Sequence, residues 1–409
     1  MTSGVGYRHW HPLRPRDPKP RVFRPGSEKV RWGSATLDGG IFLTAGSLIL
    51  LGVVMSYSAT AALSLDRHIP PLFLKHVTAL CLGGAGAAAG MWLPPNLWRR
   101  ASLPLWLLSM GLLIATLLYG VEVRGAQRWL VLPLLELRFQ PVELAKLSTL
   151  LLVVSVASRR EGHSELSRRR VLVVFGLSLA PVGLLLGQPD FGNAVLLLTL
   201  VALVLLVAGT PMRVLVLPAL ATSVGAAIYI ATHAYAWRRV ACFCDPWKEA
   251  AGCGFQLVQS FVAFSKGGLL GVGLGNGHQK LAFLPEAHTD FILALVAEEL
   301  GLLGVLAVFG AFAVLLFAGN EIARRTSDRF SLLLAFAMTA MLTVPAVVNA
   351  AVVMGVVPTK GLTLPFLSHG GTSLVTSCTV LGLLLGVSRR SRSPRPTNVV
   401  TGGGARRPA

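Results

Sequence analysis

Apolar runs of about 18 residues or more recur along nearly the whole of this 409-residue chain, each long enough to cross ~30 Å of hydrocarbon. Ten are read, near 41–63, 72–93, 102–120, 141–158, 170–187, 191–209, 212–231, 290–318, 330–357 and 364–388. A backbone in lipid must satisfy its own hydrogen bonds, so runs of this length imply helices. Composition agrees: 53% of residues are hydrophobic and 13% charged, with a mean hydropathy of +0.65. The expected fold is all-α and polytopic, about ten transmembrane helices with one large external loop at 232–289. The expected organisation is a basic, disordered tail at 1–39, a membrane domain at 40–388 and a second basic tail at 389–409.

The net charge of +19 would suit nucleic acid if it were gathered on one soluble face. It is instead divided by side. With ten crossings, 25 Lys and Arg fall with the two tails and 10 on the opposite side, which carries the longest loop. This is the positive-inside pattern: both termini cytoplasmic, loop 232–289 external, no nucleic-acid partner. The tails, rich in Arg and Pro, suit contact with anionic headgroups. Ala59-Thr60-Ala61 resembles a signal-peptidase site. The tail and apolar stretch before it are too long for a signal peptide, so the first span is read as uncleaved.

Of five cysteines, Cys81 and Cys378 sit in spans as small packing residues. Cys242, Cys244 and Cys253 are external, and Cys253 could bridge to either of the others. Their spacing does not fit zinc. Gly86-x-x-x-Gly90 offers a small-residue face for close helix contact within one subunit.

Ionisable residues beside membrane spans are functional candidates by default, and they gather in four places. Pro285 is placed to open a helix, which would set Glu286 and Asp290 four apart on one face. Spacing alone leaves two readings for that pair, a general base or helix capping. Lys280 lies just upstream. Glu298 and Glu299, ~12 Å deeper by helical rise, are expected to pair with basic groups inside the bundle. The second cluster holds Arg128, Glu143 and Lys146. Glu143 and Lys146 read either as a structural salt bridge or as a positive site for a phosphate-bearing ligand. The third is Gln188-Pro189-Asp190, in a short external turn. The fourth contains Lys360, where Pro358, Pro365 and Gly370-Gly371 imply broken helix lining protein or water. By topology all four face outward, a setting suited to stabilising a pyrophosphate and moving a proton. Gly271-Val-Gly273-Leu-Gly275 is no phosphate loop, and no Asp-x-Asp occurs.

Taken in order, these segments resemble the SEDS family (shape, elongation, division and sporulation), the FtsW/RodA/SpoVE type. The likeness spans about 40–388 and rests on YSAT (57–60), GAQRW (125–129), QPVELAK (140–146), QPDFG (188–192), DPW (245–247), GFQLVQS (254–260), GVGLGNGHQK (271–280), LPEAHTDFI (284–292), EELG (298–301) and PTKGLTLPFLSHGGTSL (358–374). Pro-Thr-Lys-Gly at 358–361 is similar to the division-type members. Three positions depart: His369 stands for Tyr, Thr372 for Ser, and Asn276-Gly277 for Asn-Ser.

The resemblance implies a peptidoglycan glycosyltransferase polymerising lipid II at the outer face of the cytoplasmic membrane, at the division septum. It implies a class B penicillin-binding protein, a transpeptidase, as partner alongside other division proteins. It aligns Asp290 with the essential aspartate, here the base for the acceptor 4-hydroxyl. Arg128, Lys146 and Lys360 are the expected pyrophosphate ligands, with Glu286, Lys280, Gln188, Asp190 and Glu143 around the substrate. A divalent cation, Mg or Mn, stays open, as do two other readings of the chain: a lipid II flippase or a non-catalytic division scaffold.

Overall fold

The computed structural model describes residues 34–391 apart from 62–69, 124–125, 133–136, 160–167, 233, 281–283 and 285–287. Three helices come first: α1 (Ser34–Ala61), α2 (Pro71–Trp92) and α3 (Pro95–Tyr119). Three short strands follow, β1 (Val121–Val123), β2 (Ala126–Leu132) and β3 (Leu137–Phe139). Then come α4 (Pro141–Ala157), α5 (Arg168–Gly187), α6 (Phe191–Val207) and α7 (Met212–Thr232). Two shorter helices, α8 (Ala234–Cys244) and α9 (Phe255–Gly267), precede α10 (Ile292–Arg325), α11 (Arg329–Val353) and α12 (Gly371–Ser391).

Helices occupy all ten expected segments. Among the described residues, seven of them (α1, α2, α3, α5, α10, α11 and α12) are long and apolar enough to cross a membrane, while α4 and α6 have 17 residues each. The protein is therefore a polytopic helical membrane protein. Most of the basic tails, at 1–33 and 392–409, lies outside the described residues.

Local chemistry sets the helix starts. Proline opens α2, α3 and α4, where its missing N–H would have had no partner anyway. Pro95 starts α3 seven residues before the expected 102, drawing Arg99 and Arg100 into its first turns. Asp190 caps α6 and Asp328 caps α11, each accepting from a backbone N–H three residues on. The last helix begins at Gly371, not at 364. The stretch 358–370 between α11 and α12 is broken backbone, as its prolines and glycines led one to expect.

Packing puts α4 at the centre. It is buried on nearly every side and contacts α3, α5, α6, α11 and α12. A second tight contact joins α2 to α12. A β-carbon on Gly90 would lie 2.6 Å from the Leu383 N, so glycine lets these backbones meet inside one subunit.

Two regions expected to be plain loop carry secondary structure. Strands β1, β2 and β3 form an antiparallel meander, and α8 and α9 subdivide 232–289. Cys242 and Cys253 are joined by a disulfide with Cα atoms 6.0 Å apart, while Cys244 is free.

Candidate active site

Asp290 lies in a turn, and α10 begins only at Ile292. The helix expected from Pro285 is thus corrected, and Glu286 falls outside the described residues. The physical reason is visible in three carbonyls that such a helix would have used internally. The His288 carbonyl accepts from the His369 N at 2.8 Å, the Thr289 carbonyl from the Ser368 hydroxyl at 2.6 Å, and the Asp290 carbonyl from the Asn349 amide at 2.8 Å. Asn349 donates also to the Leu362 carbonyl at 2.6 Å. Asp290 is therefore pinned to α11 and to the 358–370 stretch, with its carboxylate against Gly361: a β-carbon there would sit 2.7 Å from Oδ2.

Lys360 is the next residue along. Its ammonium stands 4.6 Å from the Phe191 ring centroid, a cation–π contact. Burial lowers its pKa from the ordinary lysine value; the Asp190 carboxylate opposes that shift and the Arg239 guanidinium adds to it. Arg239, from α8, donates to the Thr359 carbonyl at 3.2 Å.

Behind Lys360 runs a buried polar chain. Lys146 pairs with Glu143 at 2.8 Å and reaches Asn193 Oδ1 at 3.3 Å, and Asn193 donates to Asp190 Oδ2 at 2.8 Å. Arg128, from β2, donates to the Pro189 carbonyl in the same turn. Under Gly361 a cavity of about 30 Å³, lined in part by Glu143, Lys146, Asn193 and Thr363, enters between α4, α6, α11 and α12. That volume holds a water or two.

The structure thus brings Asp290, Lys360, Asp190, Lys146, Glu143 and Arg128 into one connected region. Two other expected site residues have structural partners instead. Gln188 is buried and donates to the Leu113 carbonyl at 2.9 Å, tying α5 to α3. Lys280 spends its three donors on Glu299 Oε1 at 2.9 Å, Ser58 Oγ at 2.9 Å and the Gly275 carbonyl. Glu298 differs from expectation. It accepts from the backbone N–H groups of His278 and Gln279 at 2.9 and 3.0 Å, with no basic side chain. These bonds hold the 271–280 loop where α10 breaks at Gly301, φ 68°. The Leu302 and Leu303 N–H groups freed by the break donate to the Gly268 and Leu269 carbonyls at 2.9 and 3.2 Å. Irregular backbone at depth is stable when satisfied by protein in this way.

Sequence reasoning passed over Asn349, Asn193 and Ser368. An amide alone in an apolar helix was the available signal for the two asparagines. Beside Asp290 stand three imidazoles: His369 stacks on His76 at 5.6 Å and lies 5.7 Å from His288, centroid to centroid. Burial first, then His76, His288 and Lys75, push the His369 pKa down to about 4. The Thr372 departure keeps its hydroxyl, which accepts from the Gln140 N at 3.0 Å.

Among the described residues, the one convergence of three metal-type ligands is Cys242, Glu249 and Cys253, whose sulfurs are bonded to each other.

The family model for FtsW, RodA and SpoVE, a cell cycle protein family, matches residues 40–393. The chain belongs to the FtsW/RodA/SpoVE family. Relatives within it include the "Probable peptidoglycan glycosyltransferase FtsW" of Trichlorobacter lovleyi, 38% identical over 87% of this chain and 93% of the relative. The protein of the same name from Aromatoleum aromaticum is 40% identical, covering 90% of each chain. A solved chain from "Structural coordination of polymerization and crosslinking by a peptidoglycan synthase complex" superposes with a TM-score of 0.72, 31% identity and coverage of 87% of this chain and 99% of that one. The rod shape determining protein RodA of Thermus thermophilus gives 0.64 at 29% identity, covering 87% and 97%.

Proposed function

We propose that this FtsW/RodA/SpoVE family member is a peptidoglycan glycosyltransferase that polymerises lipid II during septal wall synthesis. It acts at the outer face of the cytoplasmic membrane beside a class B penicillin-binding protein. The observation that carries the reading is the placement of Asp290. The 288–290 turn that carries it is held by three separate partners, one on each carbonyl, beside the 358–370 stretch that contains Lys360, and a residue that only capped a helix would need none of them. Relatives named as FtsW glycosyltransferases and a neighbour from a peptidoglycan synthase complex support the same chemistry.

Asp290 takes the proton of the acceptor 4-hydroxyl as that oxygen attacks the donor anomeric carbon. The bond from that carbon to the pyrophosphate oxygen breaks with inversion, and undecaprenyl pyrophosphate leaves with the electron pair. Lys360 and Arg128 meet the growing negative charge, an electrostatic role that pre-set donors perform well. Lys146 and Glu143 hold the floor of the site through Asn193 and Asp190.

Asp290→Asn preserves size and removes the proton acceptor. Glycan polymer made from lipid II by the purified protein and its transpeptidase should fall at least about a hundredfold, with helicity and partner binding kept. Polymerisation near the wild-type rate would sink the catalytic reading and return the flippase or scaffold in its place.

A further inference from the structure

A second, roomier cavity lies at the other end of α4 from the candidate active site. It measures about 710 Å³ and opens between the start of α3, the end of α4 and the first half of α5. That is within the ~300–1,000 Å³ range of small-ligand sites. Arg99, Arg100 and Arg159 line its mouth, and Leu103, Leu152 and Leu177 line its walls. Among the described residues no carboxylate lines it. The back wall is polar: Ser155 donates to Ser102 at 3.2 Å, and Ser102 donates to the Arg99 carbonyl at 2.8 Å.

Its position follows from α4. Glu143 in the first turn belongs to the candidate active site, and Arg159 lies just past the last turn. The two are ~24 Å apart by helical rise, close to a hydrocarbon thickness. At the Arg159 end the start of α3 meets the start of α11, with the Arg99 guanidinium 5.8 Å from the Phe330 ring. The end of α12 also meets the end of α2 there, Arg390 donating to the Trp92 carbonyl at 2.8 Å. This is the arginine-rich end that the charge asymmetry assigns to the cytoplasm.

We propose that this cavity is a binding site for one anionic phospholipid of the inner leaflet. The phosphate would be held by the arginine fork and an acyl chain laid on the leucine wall. Guanidinium groups bind phosphate bidentately, and basic pockets between membrane helices on the cytoplasmic side suit anionic headgroups. The site is independent of the glycosyltransferase reading, because it rests on residues at the opposite end of α4 from Glu143.

The test uses the full chain purified in detergent, where no membrane surface potential acts. Native mass spectrometry would follow titration with dioleoyl phosphatidylglycerol, with dioleoyl phosphatidylcholine, and with phosphatidylglycerol plus millimolar inorganic phosphate. The wild type should retain phosphatidylglycerol over phosphatidylcholine by at least tenfold, and phosphate should not displace it. The Arg99→Gln/Arg100→Gln/Arg159→Gln variant should lose that preference, roughly tenfold for each charge-assisted contact removed. The matching Arg→Lys variant, which keeps charge without the planar fork, should hold an intermediate amount and covers the case in which the glutamine variant fails to fold. Arg213→Gln/Arg324→Gln/Arg325→Gln, which removes basic residues outside the cavity, should bind as the wild type does. Absence of preference in the wild type, equal loss in that control, or displacement by phosphate would each overturn the site. Retention appearing only in Glu161→Gln/Glu165→Gln would overturn it too, since the chain's own 160–167 segment would then be the occupant.

Discussion

Gly361→Ala tests the position of the Asp290 carboxylate without touching its charge. The added β-carbon would stand 2.7 Å from Oδ2, 3.5 Å from Cγ and 3.8 Å from Oδ1 of Asp290, and no closer to any other residue. Non-bonded contact becomes comfortable near ~3.5 Å, so the carboxylate must retreat by roughly 0.8 Å. Its main chain cannot follow, because Asn349, Ser368 and His369 hold the turn. The motion therefore falls on the side chain and turns the basic oxygen away from its place. A displacement of about 1 Å at a reacting group costs about a hundredfold, so turnover should drop ten- to a hundredfold. Folding should be spared, since Gly361 lacks the positive φ that excludes a side chain and the contact is with a flexible end. The assay is glycan polymerisation from lipid II, with thermal melting run in parallel. Gly192→Ala is the comparison: its β-carbon would meet Lys360 Cδ at 3.3 Å, a methylene that can yield, so its loss should stay within severalfold. Wild-type turnover in Gly361→Ala would refute the claim that the reaction depends on the carboxylate where it now lies.

Two further outcomes follow from groups around the site. Lys146→Met strands Glu143 without its cation in a buried setting, where breaking such a pair costs about 3–5 kcal/mol; melting in detergent should fall steeply, and Glu143→Gln/Lys146→Met should regain most of it. An unchanged melting point in the single variant would show that the pair carries no such load. Burial, with His76, His288 and Lys75 adding to it, pushes the His369 pKa down to about 4 in the folded protein, from its ordinary value near 6.5. On acidification the unfolded chain takes the proton first, so the stability present above about pH 6.5 declines as pH falls towards 4. His369→Phe should flatten that decline between pH 7 and 4.5 in melting curves, and an identical slope would remove His369 as its source.

The helices were legible because lipid leaves the backbone so few choices, and proline marked several of their starts. Where the sequence misled, distant partners had outbid local spacing. Residues 285–292 carry every local sign of a helix start. Yet the carbonyls of His288, Thr289 and Asp290 are claimed by donors 81, 79 and 59 positions away in the chain. The same holds for Lys280, expected around the substrate with Glu286 and Asp290, whose donors go to Glu299 and Ser58. Arg128, Asp190 and Lys360 read in the sequence as members of separate clusters, and only the fold could place the Lys360 ammonium over Phe191, within the influence of Asp190.

The chain of contacts from Glu143 through Lys146 and Asn193 to Asp190 explains why so much charge is tolerated in the heart of an apolar bundle. Each member is satisfied by the next, and the series ends where Asp190 can act on Lys360. A lysine losing solvent in that position would tend to shed its proton, and the carboxylate opposes the shift. Asp190 in turn is fixed twice, as the cap of α6 and through the Asn193 amide. The geometry of the outer site is thus set from inside the bundle. Substitutions at Glu143 or Lys146 should therefore be felt at Lys360 through position and field.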